Sequence, residues 1–87
     1  ILRLMNQKTF NKLSLNAKRD LVQNEGTFLA TRQYRAHTVH LYDLNGNYIE
    51  VWNRIGYECI EWIEFTNNKE TINTYLKKIN IEEDLNI

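Results

Sequence analysis

Two hydrophobic periods divide this chain. From Thr27 to Thr66 apolar, β-branched and aromatic residues come in short runs: TFLATRQ, HTVHLYD, NYIEVWN and CIEWIEFT. Runs of this make-up, bounded by turn residues, predict strands. They fall at about 27–33, 37–43, 47–53 and 59–66. On either side the apolar spacing changes to three and four, the period of a helix with one buried face. In LSLNAKRDLVQNEG, Ala17, Leu21 and Val22 form a narrow stripe, and Phe10 and Leu13 continue it in a preceding turn. Ser14 suits the N-cap, where its hydroxyl can accept an orphan backbone N–H, and Gly26 suits a left-handed residue closing the helix. The predicted helix is 14–25. In NNKETINTYLKKI, Asn67 or Asn68 can cap a second helix at about 68–79, with Ile72, Tyr75, Leu76 and Ile79 on one face and Lys77 and Lys78 favourably placed near its C-terminal end. Residues 80–87 read as an acidic, frayed tail.

The predicted order is α-β-β-β-β-α, a single α+β domain over residues 1–87. Short connections favour a four-stranded antiparallel meander, order 1-2-3-4. An antiparallel sheet can bury one face and wet the other. The expectation is therefore that both helices cover one face.

The turn in LYDLNGNYIEVW decides which residues share a face. A two-residue Asn45-Gly46 loop sets Tyr42 against Ile49 and His40 against Val51, mixing polar and apolar groups. A three-residue loop, Leu44-Asn45-Gly46, sets Val39 against Val51 and Leu41 against Ile49. The other face then carries Tyr42 opposite Tyr48, His40 opposite Glu50 and Thr38 opposite Trp52. A slip of one residue moves every side chain across the sheet. The three-residue loop sorts the aliphatics onto one face, so it is the expected register, with Val39, Leu41, Ile49 and Val51 buried together. Strand four fits with Cys59, Ile63 and Phe65 inward, although Glu61 then shares that face; a bulge would remove the conflict and leave Trp62 beside the other aromatics.

Charge adds an asymmetry. The chain has 87 residues and a formal net charge of zero. Residues 1–40 hold seven Lys/Arg and two acids, and residues 41–87 four Lys/Arg and nine acids, net +5 against −5. The first strand reads as a basic edge, with Arg32 and Arg35, and the fourth as an acidic one, with Glu58, Glu61 and Glu64. No run approaches the ~20 apolar residues of a membrane span. The opening ILRLMNQKTF is too polar after Met5 for a signal peptide, and the expected location is cytoplasmic. The one cysteine, Cys59, flanks an apolar run and reads as a small core residue rather than a nucleophile.

Catalytic patterns are lacking. There is no Gly-rich phosphate loop, no Cys-x-x-Cys and no His-x-x-x-His. The two histidines, His37 and His40, fall on opposite strand faces and cannot share a metal. His40 opposite Glu50 is the one acid–base pair, and it reads as an exposed cross-strand contact. No cofactor, metal or catalytic residue is expected. What remains is an aromatic sheet face, Tyr42, Tyr48, Trp52 and Trp62 with His40 and Glu50. Tyrosine and tryptophan are enriched at interface cores. The expected role is a non-catalytic protein-interaction or self-assembly module, a homodimer packed face to face through Tyr42, Tyr48 and Trp52 or a complex with another protein. The alternative is single-stranded nucleic-acid binding by the same face, with Arg32 and Arg35 as phosphate contacts and the acids of strands three and four opposing it. A small enzyme or ligand carrier is the third reading.

Overall fold

The computed structural model describes residues 6–76. A short helix, α1 (Gln7–Asn11), leads into α2 (Leu15–Glu25), and four strands follow: β1 (Thr27–Tyr34), β2 (His37–Leu44), β3 (Asn47–Arg54) and β4 (Ile60–Phe65). A third helix, α3, begins at residue 69 and is described to residue 76. The strands form one antiparallel sheet in the order β1-β2-β3-β4. This is the α+β meander expected from the hydrophobic pattern, with helix before and after. Of the expected second helix and tail, Lys77, Lys78, Ile79 and residues 80–87 lie outside the described residues.

Local chemistry sets the ends. Asn6 Oδ1 accepts from Thr9 N at 2.8 Å and Ser14 Oγ from Ala17 N at 3.1 Å, each satisfying one orphan donor of its helix. Asn68 does the same for α3, accepting from Glu70 N at 2.8 Å. Gly26 closes α2, but not in the left-handed form: its φ is −84° and ψ 152°, already extended. Its smallness is what counts. A Cβ there would stand 2.5 Å from the Val22 carbonyl oxygen, which the Gly26 N–H approaches at 2.8 Å. The chain passes directly from helix to strand, leaving no room for a left-handed residue between them.

The β2–β3 connection corrects the expected register. Leu44 pairs with Asn47, so the loop is the two residues Asn45 and Gly46. Both have positive φ, 53° and 88°, as a type I′ turn requires. Asp43 Oδ1 accepts from Gly46 N at 2.9 Å and steadies the turn. Tyr42 therefore faces Ile49, His40 faces Val51, Leu41 faces Glu50 and Val39 faces Trp52. The pairs Tyr42–Tyr48, His40–Glu50 and Thr38–Trp52 do not form.

The physical reason is that both faces of this sheet are covered. On one face Leu44, Ile49, Val51, Ile63 and Phe65 pack with Phe10 and Val22 into a core under α1 and α2. The Phe10 and Phe65 rings lie 5.0 Å apart. On the other face Val39, Leu41 and Trp52 are buried, and Tyr75 of α3, only 3% exposed, closes over that face. Val39, Leu41, Ile49 and Val51 are all buried as expected, but two by two on opposite faces. Sorting the aliphatics onto one side presumes a sheet with one wet face, and α3 removes that premise.

Two bulges finish the edges. β1 has an extra residue at Leu29, between Phe28↔Tyr42 and Ala30↔Leu41. β4 has one at Glu61, between Trp52↔Trp62 and Asn53↔Ile60. The second resolves the conflict in CIEWIEF: Ile60, Ile63 and Phe65 turn toward α1 and α2, and Trp62 toward the other face. Cys59 is exposed, a correction to its expected core position. It falls before β4 begins, outside the alternation that buries Ile63 and Phe65.

Candidate functional site

The face of the sheet beneath α3 collects most of the chemistry. Alternation along the strands and the observed register place Arg32 and Tyr34 of β1, His37 of β2, Glu50, Trp52 and Arg54 of β3, and Trp62 of β4 on this side. They form two adjoining groups.

The first group is a buried polar triad. Glu50 is 2% exposed. Arg32 Nε donates to Glu50 Oε2 at 3.0 Å, and the Tyr75 hydroxyl donates to the same oxygen. Arg32 Nε also lies 3.2 Å from the Tyr75 hydroxyl oxygen. The guanidinium carbon sits 5.5, 5.3 and 5.6 Å from the ring centres of Tyr34, Trp52 and Tyr75. A buried acid is tolerated only when paired and hydrogen-bonded, and Arg32 and Tyr75 meet that need. Burial pushes the Tyr75 phenol well above its ordinary value, and its bond to Glu50 pushes the same way. Burial would lower the Arg32 pKa, but its bonds to Glu50 and Tyr75 outweigh this and hold it above the usual arginine value.

The second group is aromatic. The Trp52 and Trp62 rings stack with centres 4.6 Å apart and planes 19° from parallel. His37 meets both edge-on, at 5.5 and 5.0 Å, and Tyr34 meets Trp52 edge-on at 6.0 Å. The bulge delivers Glu61 to the same side. Glu61 Oε1 lies 3.1 Å from His37 Nε2, and Arg54 Nε donates to Oε2 at 2.8 Å. Arg54, then His37, holds the Glu61 carboxyl below the usual carboxylate range. Trp52 Nε1 is buried and has no hydrogen-bond partner among the described residues. The cluster opens to solvent at Tyr34, which is 46% exposed and lies under the Arg35 guanidinium at 5.4 Å.

Of the six residues expected to share an aromatic face, the structure brings together Trp52 and Trp62. Tyr48 is on the same face but at the far end, beside a cavity of about 330 Å³ that it lines with Gly46, Asn67, Lys69, Ile72 and Asn73. Glu50 is on this face but buried in the triad. Tyr42 and His40 lie on the opposite face, a consequence of the two-residue turn. There His40 Nδ1 is 2.9 Å from Thr31 Oγ1, and the Phe28 ring is 6.1 Å from His40 and 5.7 Å from Tyr42. A two-fold contact through Tyr42, Tyr48 and Trp52 together is therefore unavailable: they do not share a face, and Trp52 is covered. Arg35 is exposed as a phosphate contact would need, whereas Arg32 is engaged by Glu50.

Sequence reasoning missed Tyr34, His37, Arg54, Glu61 and Tyr75. Glu50 and Glu61 carried the available signal. An acid inside an apolar alternation needs either a cation or a bulge, and the chain supplies Arg32 for one and an inserted residue for the other. Among the described residues, no group of three or more His, Cys, Asp or Glu is placed to hold a metal ion, and no helix is long and apolar enough to cross a membrane. No family model matches the chain, and neither a curated protein nor a solved structure does.

Proposed function

We propose that the chain is a non-catalytic protein-interaction module whose contact surface is the open end of the aromatic face, centred on Tyr34 and bordered by Trp62, Arg35 and Arg54. The observation that carries this reading is the construction of the cluster. Tyr34 is half exposed, yet its ring is propped edge-on against buried Trp52, which is in turn stacked on Trp62. A ring already held in place loses little freedom on binding, and Tyr, Trp and Arg dominate the energetics of interfaces. An exposed free thiol at Cys59 suits a reducing compartment, and a cytoplasmic location belongs to the proposal. Self-assembly is its simplest form.

Sedimentation velocity tests it. The expected result is a mass above the monomer that persists in about 1 M NaCl, where the Debye length is about 3 Å, because apolar contact rather than charge holds the complex. Tyr34→Ala is expected to lower that mass. A complex that dissolves in salt would assign the contact to charged edges instead. Single-stranded nucleic acid is the competing outcome. Arg35 over Tyr34 favours it, and Glu61 and Glu64 on the same face of the sheet oppose it. Quenching of tryptophan fluorescence by mixed single-stranded oligonucleotides at low salt, relieved as salt rises, would replace the protein-interaction reading.

A further inference from the structure

Among the described residues, no strand pairs with the outer edge of the first strand. Among the described residues β1 bonds only to β2, and α2 lies chiefly against β2 and β4. The outer side of this eight-residue strand thus has no strand partner among the described residues, and three large apolar side chains on it are exposed: Phe28 at 54%, Leu29 at 45% and Tyr34 at 46%. An exposed strand edge is a template for another strand, and proteins ordinarily blunt it with charge, proline or a bulge. β4 is blunted in this way. It has six residues, carries Glu61 and Glu64, and has its bulge at Glu61. β1 has no acid, no lysine and no proline, and its one cation, Arg32, is neutralised by Glu50. Its bulge falls at Leu29, near the start, which leaves Ala30 to Tyr34 regular.

We propose that β1 pairs antiparallel with the β1 of a second copy of this chain, joining two sheets into one of eight strands about a two-fold axis. The proposal rests on the interaction-module reading and names its partner. Two features of β1 select a second copy. Antiparallel self-pairing lays the Phe28–Leu29 end of one strand along the Tyr34–Arg35 end of the other, so each apolar end meets an aromatic and a cation. The residues nearest the axis are Thr31 with Ala30 and Arg32 on either side, and the one charge among them, Arg32, is already paired with Glu50. Self-pairing of β4 would instead set glutamates against glutamates. Pairing of β1 with the β4 of another copy would satisfy charge but leave an edge free at each step, giving open chains rather than a closed pair.

The test combines mass with amide exchange. Sedimentation of the full chain is expected to give two copies, and the β1 amides that do not bond to β2 are expected to gain protection as concentration rises while the β4 edge does not. Leu29→Lys and Gln33→Lys place a cation on the edge at exposed positions, with circular dichroism to confirm the fold. Each is expected to raise the dissociation constant at least about tenfold at low salt. Part of the Leu29→Lys loss should return in about 1 M NaCl, since antiparallel pairing sets the added cation beside Arg35 of the other copy and salt screens the two. A dimer that Tyr34→Ala weakens, but in which β1 stays unprotected and the lysine variants change nothing, overturns the edge pairing and leaves the interaction module standing. A chain that stays monomeric to about 1 mM overturns the pairing and leaves the interaction module only a different protein as its partner. Mass that grows without limit overturns it in favour of β1–β4 chains, and β1 protection independent of concentration shows an edge already covered within one copy and overturns it as well.

Discussion

Tyr75→Phe removes one oxygen from the centre of the buried triad and changes almost nothing else in shape. The lost hydroxyl donates to Glu50 Oε2 and lies 3.2 Å from Arg32 Nε. Hydrogen bonds to charged groups contribute about 1.5–3 kcal/mol each. Arg32 remains on Glu50 at 3.0 Å, so the acid keeps its counter-ion and the cost stays near the lower end, about 2 kcal/mol. Against a total stability of roughly 5–10 kcal/mol for a domain of this size, that is a large fraction. With a urea dependence of about 1 kcal/mol per molar, the unfolding midpoint should fall by about 2 M. Alkaline pH supplies an independent check. The folded phenol titrates above its unfolded value of about 10, so its contribution is complete below that pH and is lost as pH rises toward the folded pKa. Wild type should therefore lose stability above about pH 10 by more than Tyr75→Phe does, the other tyrosines titrating equally in both. A midpoint shift under about 0.5 M, or identical alkaline limbs in the two proteins, would refute the reasoning and remove the triad as the anchor of α3.

Two other predictions follow from geometry already described. Gly46→Ala should destabilise the protein by about 1–2 kcal/mol in the same urea assay; a Cβ there meets nothing within 4 Å, so the whole cost is the left-handed backbone at φ 88°. Glu61→Gln should flatten the acid limb of stability, because a carboxyl held low by Arg54 and His37 contributes above its unfolded pKa and loses that contribution as pH falls through the folded one; an unchanged acid limb would show that the pairing adds nothing in solution.

The sequence by itself determined the elements, and it did so through short-range chemistry. Ser14 and the asparagines cap helices with side chains that reach only two or three residues along the chain. Strands β1 to β4 follow from runs of β-branched and aromatic residues, and the order 1-2-3-4 from connections too short to cross. Even the turn was legible, since Asn-Gly is the pair that tolerates positive φ at both positions. Its register was not legible locally, because a helix far along the chain decides it. Which face of a sheet must be apolar depends on what covers it, and Tyr75 stands 25 residues beyond Glu50 along the chain. Tertiary structure alone decided that both faces are covered, that Val39 and Leu41 turn away from Ile49 and Val51, and that Arg32 finds Glu50 across two strands. The candidate site was legible only in part for the same reason. Trp52 and Trp62 could be placed together once a bulge was allowed. Tyr34, His37 and Glu61 join them through pairings among β1, β2, β3 and β4, and a one-residue change in any pairing moves a side chain to the opposite face.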